Sequence, residues 1–157
     1  MSKININVKL FIVLMPVLML VNCNSDNNDG YYNIPYVYVN YTINLDLPSY
    51  SNLVNIGGYV VIGNQGYKGI IVFHDGFDQF TAIERACTYQ PLDACSIVTV
   101  DNSGTFIRCG HYETSDWIGC CNSKFTMDGT IVLEGPAKYP LKHYQVIKTG
   151  NSLLITN

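Results

Sequence analysis

From Val37 to Leu47 the chain alternates without a break, with Val37, Val39, Tyr41, Ile43, Leu45 and Leu47 on one side and Tyr38, Asn40, Thr42, Asn44 and Asp46 on the other. A period of two over this length predicts a half-buried β-strand, because successive side chains of a strand point to opposite faces. Shorter runs of the same kind predict strands over 58–62, 69–74, 80–84, 97–101, 105–109, 124–127, 131–133, 144–148 and 152–155. Between them stand turn formers: Gly63-Asn64-Gln65-Gly66, Asp75-Gly76, Asp101-Asn102-Ser103-Gly104, Asp128-Gly129 and Gly150-Asn151. No stretch beyond residue 23 carries a helical period of convincing length. Many short strands at regular spacing predict an all-β sandwich or small barrel.

The N-terminus follows a different pattern. Lys3 and Lys9 precede an apolar run from Leu10 to Val21, long enough for a signal-peptide core and short of the roughly 20 residues a membrane-spanning helix needs. The run closes on Leu20-Val21-Asn22-Cys23, which resembles a bacterial lipobox, with Asn22 where a smaller residue is usual. This implies a lipoprotein signal peptide at 1–22, lipidation of Cys23 and a membrane partner through the lipid. It also implies a place in the cell envelope, on the inner or outer membrane, with the domain in the periplasm or at the cell surface. The polar run Asn24-Ser25-Asp26-Asn27-Asn28-Asp29-Gly30 suits a tether, here assigned to 23–36, ahead of a domain at 37–157. The overall pattern resembles exported lipoproteins of the Bacteroidetes type.

The 135 residues from Cys23 onward are the size of one domain. Beyond residue 23 they hold seven Lys or Arg against twelve Asp or Glu, a net charge of −5. No basic patch is present, so no nucleic-acid partner is expected, and no protein partner can be named. Asp75, Asp78 and Glu84 do not form an acid–base site on sequence grounds, because nothing places a nucleophile beside them. No enzyme activity is expected; at most the chain is a redox or electron-transfer accessory.

Three blocks in order carry a family resemblance: Ala86-Cys87-Thr88-Tyr89, then Cys120-Cys121-Asn122-Ser123-Lys124-Phe125 with Asp128-Gly129, then Gly135-Pro136-Ala137-Lys138-Tyr139-Pro140-Leu141. They are similar to the cluster-binding half of the Rieske domain, where the blocks read Cys-x-His, Cys-x-Cys-His-Gly-Ser-x-Phe and Gly-Pro-Ala-x-x-Pro-Leu. The resemblance implies stacked antiparallel sheets, three in number, with a small subdomain carrying two cluster loops. It also implies that Cys87, Tyr89, Cys109 and Cys121 occupy the former ligand positions. Tyr89 replaces the first histidine and Cys121 the second. A Rieske [2Fe-2S] centre takes two thiolates on one iron and two imidazoles on the other. A phenol with a pKa near 10 offers no imidazole nitrogen. No cofactor is therefore expected, with a [2Fe-2S] cluster on unusual ligands as the alternative.

In the family a cysteine from each loop forms a clamping disulfide, which implies Cys95 with Cys120 here. Cys87 is expected to pair with either Cys109 or Cys121, leaving one thiol over. No metal site is expected, since no two ligands lie at the spacing that makes zinc ribbons recognisable. A zinc or copper site would have to use Cys87, Cys109 and Cys121 with Tyr89 or His111 as a fourth donor. The adjacent Cys120 and Cys121 should face different environments rather than each other. The ten residues Gly110 to Gly119 read as an insertion between Cys109 and Cys120, with His111 and Trp117 as candidate binding residues. The plainer expectation for this insertion is that Trp117 and Ile118 fold back over the cluster pocket. Ser123, at the family's cluster-contacting serine, is read as a turn residue.

Overall fold

A computed structural model describes residues 34–157. The expected signal peptide, Cys23 and most of the expected tether lie outside the described residues. Among the described residues there are ten strands: β1 Asn40–Asn44, β2 Tyr59–Ile62, β3 Ile70–Gly76, β4 Gln79–Glu84, β5 Val98–Val100, β6 Phe106–Glu113, β7 Asp116–Thr126, β8 Val132–Glu134, β9 His143–Thr149 and β10 Ser152–Thr156. The fold is all-β, as the alternation predicts. One short 3-10 helix, Pro48–Val54, follows β1. It truncates the long first strand, and it buries Leu53 at its end. Burial still alternates beyond the paired residues, with Val39 and Ile43 buried and Tyr38, Asn40 and Thr42 exposed.

The strands form a six-stranded sheet in the order β1-β10-β9-β4-β3-β2 and a four-stranded sheet in the order β5-β6-β7-β8, with antiparallel pairing throughout. Three separate sheets were implied; two of them are fused here. The join is narrow, only Ala82 opposite Tyr144 and Ile83 opposite His143. β3 is buried on both faces, and its alternation therefore feeds two cores. Ile70 and Val72 enter a base core with Val39, Ile43, Leu53, Ala82, Leu153 and Ile155. Ile71 enters a second core with Ile83, Val98, Val100, Ile107, Phe125, Leu141 and the side chains of Cys87 and Cys109. The second core is the floor on which the cysteine loops stand.

Candidate functional site

Cys87 follows the end of β4, where an isolated bridge pairs Ala86 with Ile97. Its backbone N–H donates to Ser96 O at 3.1 Å, which closes the first loop on itself. Cys109 lies within β6 opposite Val98 of β5. On its other side the pairing of β6 with β7 jumps from Arg108↔Lys124 to Gly110↔Gly119. One residue, Cys109, thus faces four, Cys120 to Ser123, and the surplus is a large bulge in β7. That bulge is the second loop of the sequence reading. Gly110 makes it possible, because its φ of +139° suits glycine and a side chain there would run into Trp117 and the Ile118 carbonyl.

Cys95 and Cys120 form a disulfide, with Cα atoms 5.3 Å apart. Cys87, Cys109 and Cys121 are unbonded. The second bridge expected for Cys87, to Cys109 or to Cys121, is therefore not formed in this structure. The physical reason is convergence. All three sulfurs lie within 4.8 Å of one another, so each has two neighbours rather than one exclusive partner, and the Cys87 and Cys121 sulfurs stand 3.8 Å apart. Cys120 and Cys121 do face different environments, one bound to Cys95 and the other to the thiol group.

The loops are tied to each other through the third block. Thr88 donates its hydroxyl to Tyr139 O at 2.8 Å, and the Ala137 N–H donates to Ser123 Oγ at 3.0 Å. The same Ser123 Oγ lies 3.2 Å from Cys121 Sγ, so it is a residue of the site rather than a turn former. Gly135 lets the third block press directly on Asn122 and Ser123, where any side chain would collide with backbone. Behind the first loop the Lys68 ammonium donates to Asp93 O and, at 3.1 Å, to Ser96 O. Lys68 was not legible as a site residue, because its partners are carbonyls.

Within the thiol group the proton is shared unequally. Hydrogen bonds from Cys109 and Cys87, helped by Ser123, hold Cys121 below an ordinary thiol, whereas Cys87 is pushed up by its hydrogen bonds to Cys109 and Cys121 and by burial. Cys109 is also raised, chiefly by its hydrogen bond to Cys121. Of the three, Cys121 is the one whose thiol is held low and the other two are held high. The remaining candidates are elsewhere. Tyr89 is 37% exposed; its carbonyl accepts from Ser96 Oγ at 2.7 Å. His74 is buried and stacked on Phe80 at 4.3 Å, and His143 Nε2 meets Asp128 O at 2.8 Å. His111 is exposed and outside the group that the three cysteines form among the described residues.

The insertion is not a lid. Gly110 to Gly119 continue β6 and β7 as a hairpin, pairing His111↔Ile118, Tyr112↔Trp117 and Glu113↔Asp116. Trp117 does not fold over the loops. It lies across Gly110 and Gly119, edge-on to Tyr112 at 4.9 Å, with the Arg108 guanidinium 4.6 Å above its ring. Arg108 and Cys109 are adjacent on a strand, so Trp117 is on the face of β6 opposite the thiols. Ile118 is 42% exposed.

No protein-family model and no curated protein matches the chain. Among solved structures it is similar to the plasma membrane Rieske protein PetC3 from the cyanobacterium Synechocystis PCC 6803, at 22% identity over 78% of this chain and 100% of that one, with a TM-score of 0.48. It is also similar to a chain in the complex of reduced oxygenase and oxidized ferredoxin in carbazole 1,9a-dioxygenase, at 16% identity over 78% of this chain and 94% of that one, with a TM-score of 0.44.

Proposed function

We propose that the chain is a lipid-anchored protein of the bacterial cell envelope whose domain descends from the Rieske type, carries no Rieske cluster and serves in binding rather than catalysis. One observation carries the reading. Three features that the resemblance implies, the Cys95–Cys120 clamp, the paired loops and the serine, are joined to a donor set of three cysteines and no histidine. A Rieske centre needs two imidazoles on its second iron. At the positions that the resemblance gives to those imidazoles stand Tyr89 and Cys121, and none of the three histidines belongs to the sulfur group. The residues present do not fit that cofactor. The lipid anchor is supported by the lipobox-like Leu20 to Cys23 and the polar run after it.

A second reading is electron transfer by a [2Fe-2S] cluster or other metal on unusual ligands, with Cys87, Cys109, Cys121 and one further donor, favoured by the presence of three cysteine donors in one group. One experiment separates the two. Protein purified from membranes without oxygen should lack the visible and low-temperature paramagnetic signals of an iron–sulfur centre. About two irons and two sulfides per chain would overturn the first reading and establish the second. Cys23→Ala should move the protein from the membrane to the soluble fraction.

A further inference from the structure

We infer that Cys87, Cys109 and Cys121 form a binding site for one thiophilic d10 metal ion, zinc or copper(I), an inference that rests on the absence of a Rieske cluster proposed above. The sulfurs come from three separate pieces of chain: the loop after β4, the middle of β6 and the bulge of β7. Nothing in their sequence spacing brings them together, yet all lie within 4.8 Å. Around a single ion with metal–sulfur bonds of about 2.3 Å, tetrahedral or trigonal geometry sets sulfurs about 3.8–4.0 Å apart. The Cys87–Cys121 separation is 3.8 Å. Ligands on the two irons of a [2Fe-2S] core would instead be held apart by the width of that core.

The cradle does not depend on the ion for its shape. Cys87 is fixed by the Ser96 carbonyl, Cys109 by its pairing with Val98, and Cys121 by the neighbouring Cys95–Cys120 disulfide and by Ser123. Preorganised thiolates select soft ions over magnesium or calcium. Cys87 and Cys109 are buried and Cys121 is partly exposed, so the ion would enter from the Cys121 side. No histidine, carboxylate or further cysteine belongs to the group among the described residues. The site thus offers three donors and one open face, which suits three-coordinate copper(I) or zinc with a solvent ligand. Binding converts thiols to thiolates and releases their protons to solvent.

The test uses the full chain, purified in detergent without oxygen, stripped with a chelator and shown by mass to retain the Cys95–Cys120 disulfide. Zinc(II) or copper(I) is then added against a chromophoric competitor, and thiol alkylation is followed by mass spectrometry. The expected result is one ion per chain, protection of Cys87, Cys109 and Cys121 from alkylation, and a sulfur-to-metal charge-transfer band with cobalt(II). Cys121→Ser should weaken binding by at least about 100-fold and Ser123→Ala, which removes the partner of Cys121 Sγ and of the Ala137 N–H, by about 10-fold. His111→Ala should change nothing. If Cys121→Ser does not fold, alkylation of the unaltered chain still decides. Equal alkylation with and without either ion overturns the inference. Iron with sulfide in the purified protein overturns instead the reading on which it rests.

Discussion

A carboxylate withdrawn from water is tolerable only where donors replace its hydration, and Glu84, fully buried, has four of them. Oε1 accepts from the Lys68 N–H at 2.9 Å and the Ala86 N–H at 3.1 Å, and Oε2 from the Tyr67 N–H and the Tyr144 hydroxyl, both at 2.7 Å. One side chain thereby fixes the loop that carries Lys68 and the backbone that leads into Cys87. Burial and the carboxylate beside it push the Tyr144 phenol up, which keeps it a donor. We expect Glu84→Gln to lower stability by about 2–4 kcal/mol, because the amide turns two of its own hydrogens toward donors. Tyr144→Phe removes one donor and should cost about 1.5–3 kcal/mol. Urea unfolding with an unchanged denaturant slope checks both. This role was not legible in the sequence, where Glu84 stands as an isolated acid at a strand end. Three of its four partners are backbone N–H groups, which no residue type announces.

At the scale of the element, most strands followed from alternation to within a residue or two, but alternation alone overran the first, which runs unbroken over 37–47 in sequence and pairs only over Asn40–Asn44. Gly110 to Gly119 read as an insertion only against the cysteine spacing of the family the chain resembles, although in the structure they extend β6 and β7. Gly110→Ala should cost at least about 2 kcal/mol, through its backbone angle and the collision with Trp117, and should disturb the thiol group. Trp117→Ala should cost about 1–2 kcal/mol, from lost contact with Tyr112 and Arg108, and leave the thiols as they were. Thermal melts with alkylation of Cys121 distinguish the two variants. The turns make a separate prediction. Desolvation alone would raise Asp101 and Asp128, but the hydrogen bonds of Asp101 from Ser103 and of Asp128 from Thr126 and Thr130, with backbone donors at both, outweigh it and leave both carboxyls below their ordinary values. A carboxyl depressed in the folded state stabilises above its unfolded pKa, near 3.9, and loses that contribution as pH falls through the folded value. Stability should therefore decline below about pH 4. Asp101→Asn with Asp128→Asn should flatten the decline.

For the molecule as a whole, two apolar cores share β3 and β4, and only the second supports the cysteine loops. The resemblance in the three blocks implied the pairing of Cys95 with Cys120, and the structure contains it. It also implied that Cys87, Cys109 and Cys121 stand at former ligand positions, but not that all three sulfurs would lie within 4.8 Å of one another and remain unbonded. Whether a replaced residue still points into the pocket depends on the bulge, which is set by β5, β6 and β7 together. The clamp closes a loop over a sequence separation of 25 residues, and chain entropy alone assigns such a closure about 3.5 kcal/mol. Removing it as Cys95→Ala with Cys120→Ala should lower stability by about that amount without unfolding the domain, since neither residue belongs to the base core. Lys68 still holds the first loop through Asp93 and Ser96, so the loss should fall on the β7 bulge. Cys121 should then alkylate faster than in the unaltered chain, while Cys87 and Cys109 remain slow. Uniform acceleration at all three would mean that the clamp supports the whole second core. An unchanged rate at Cys121 would mean that Ser123 and the third block hold the bulge without it.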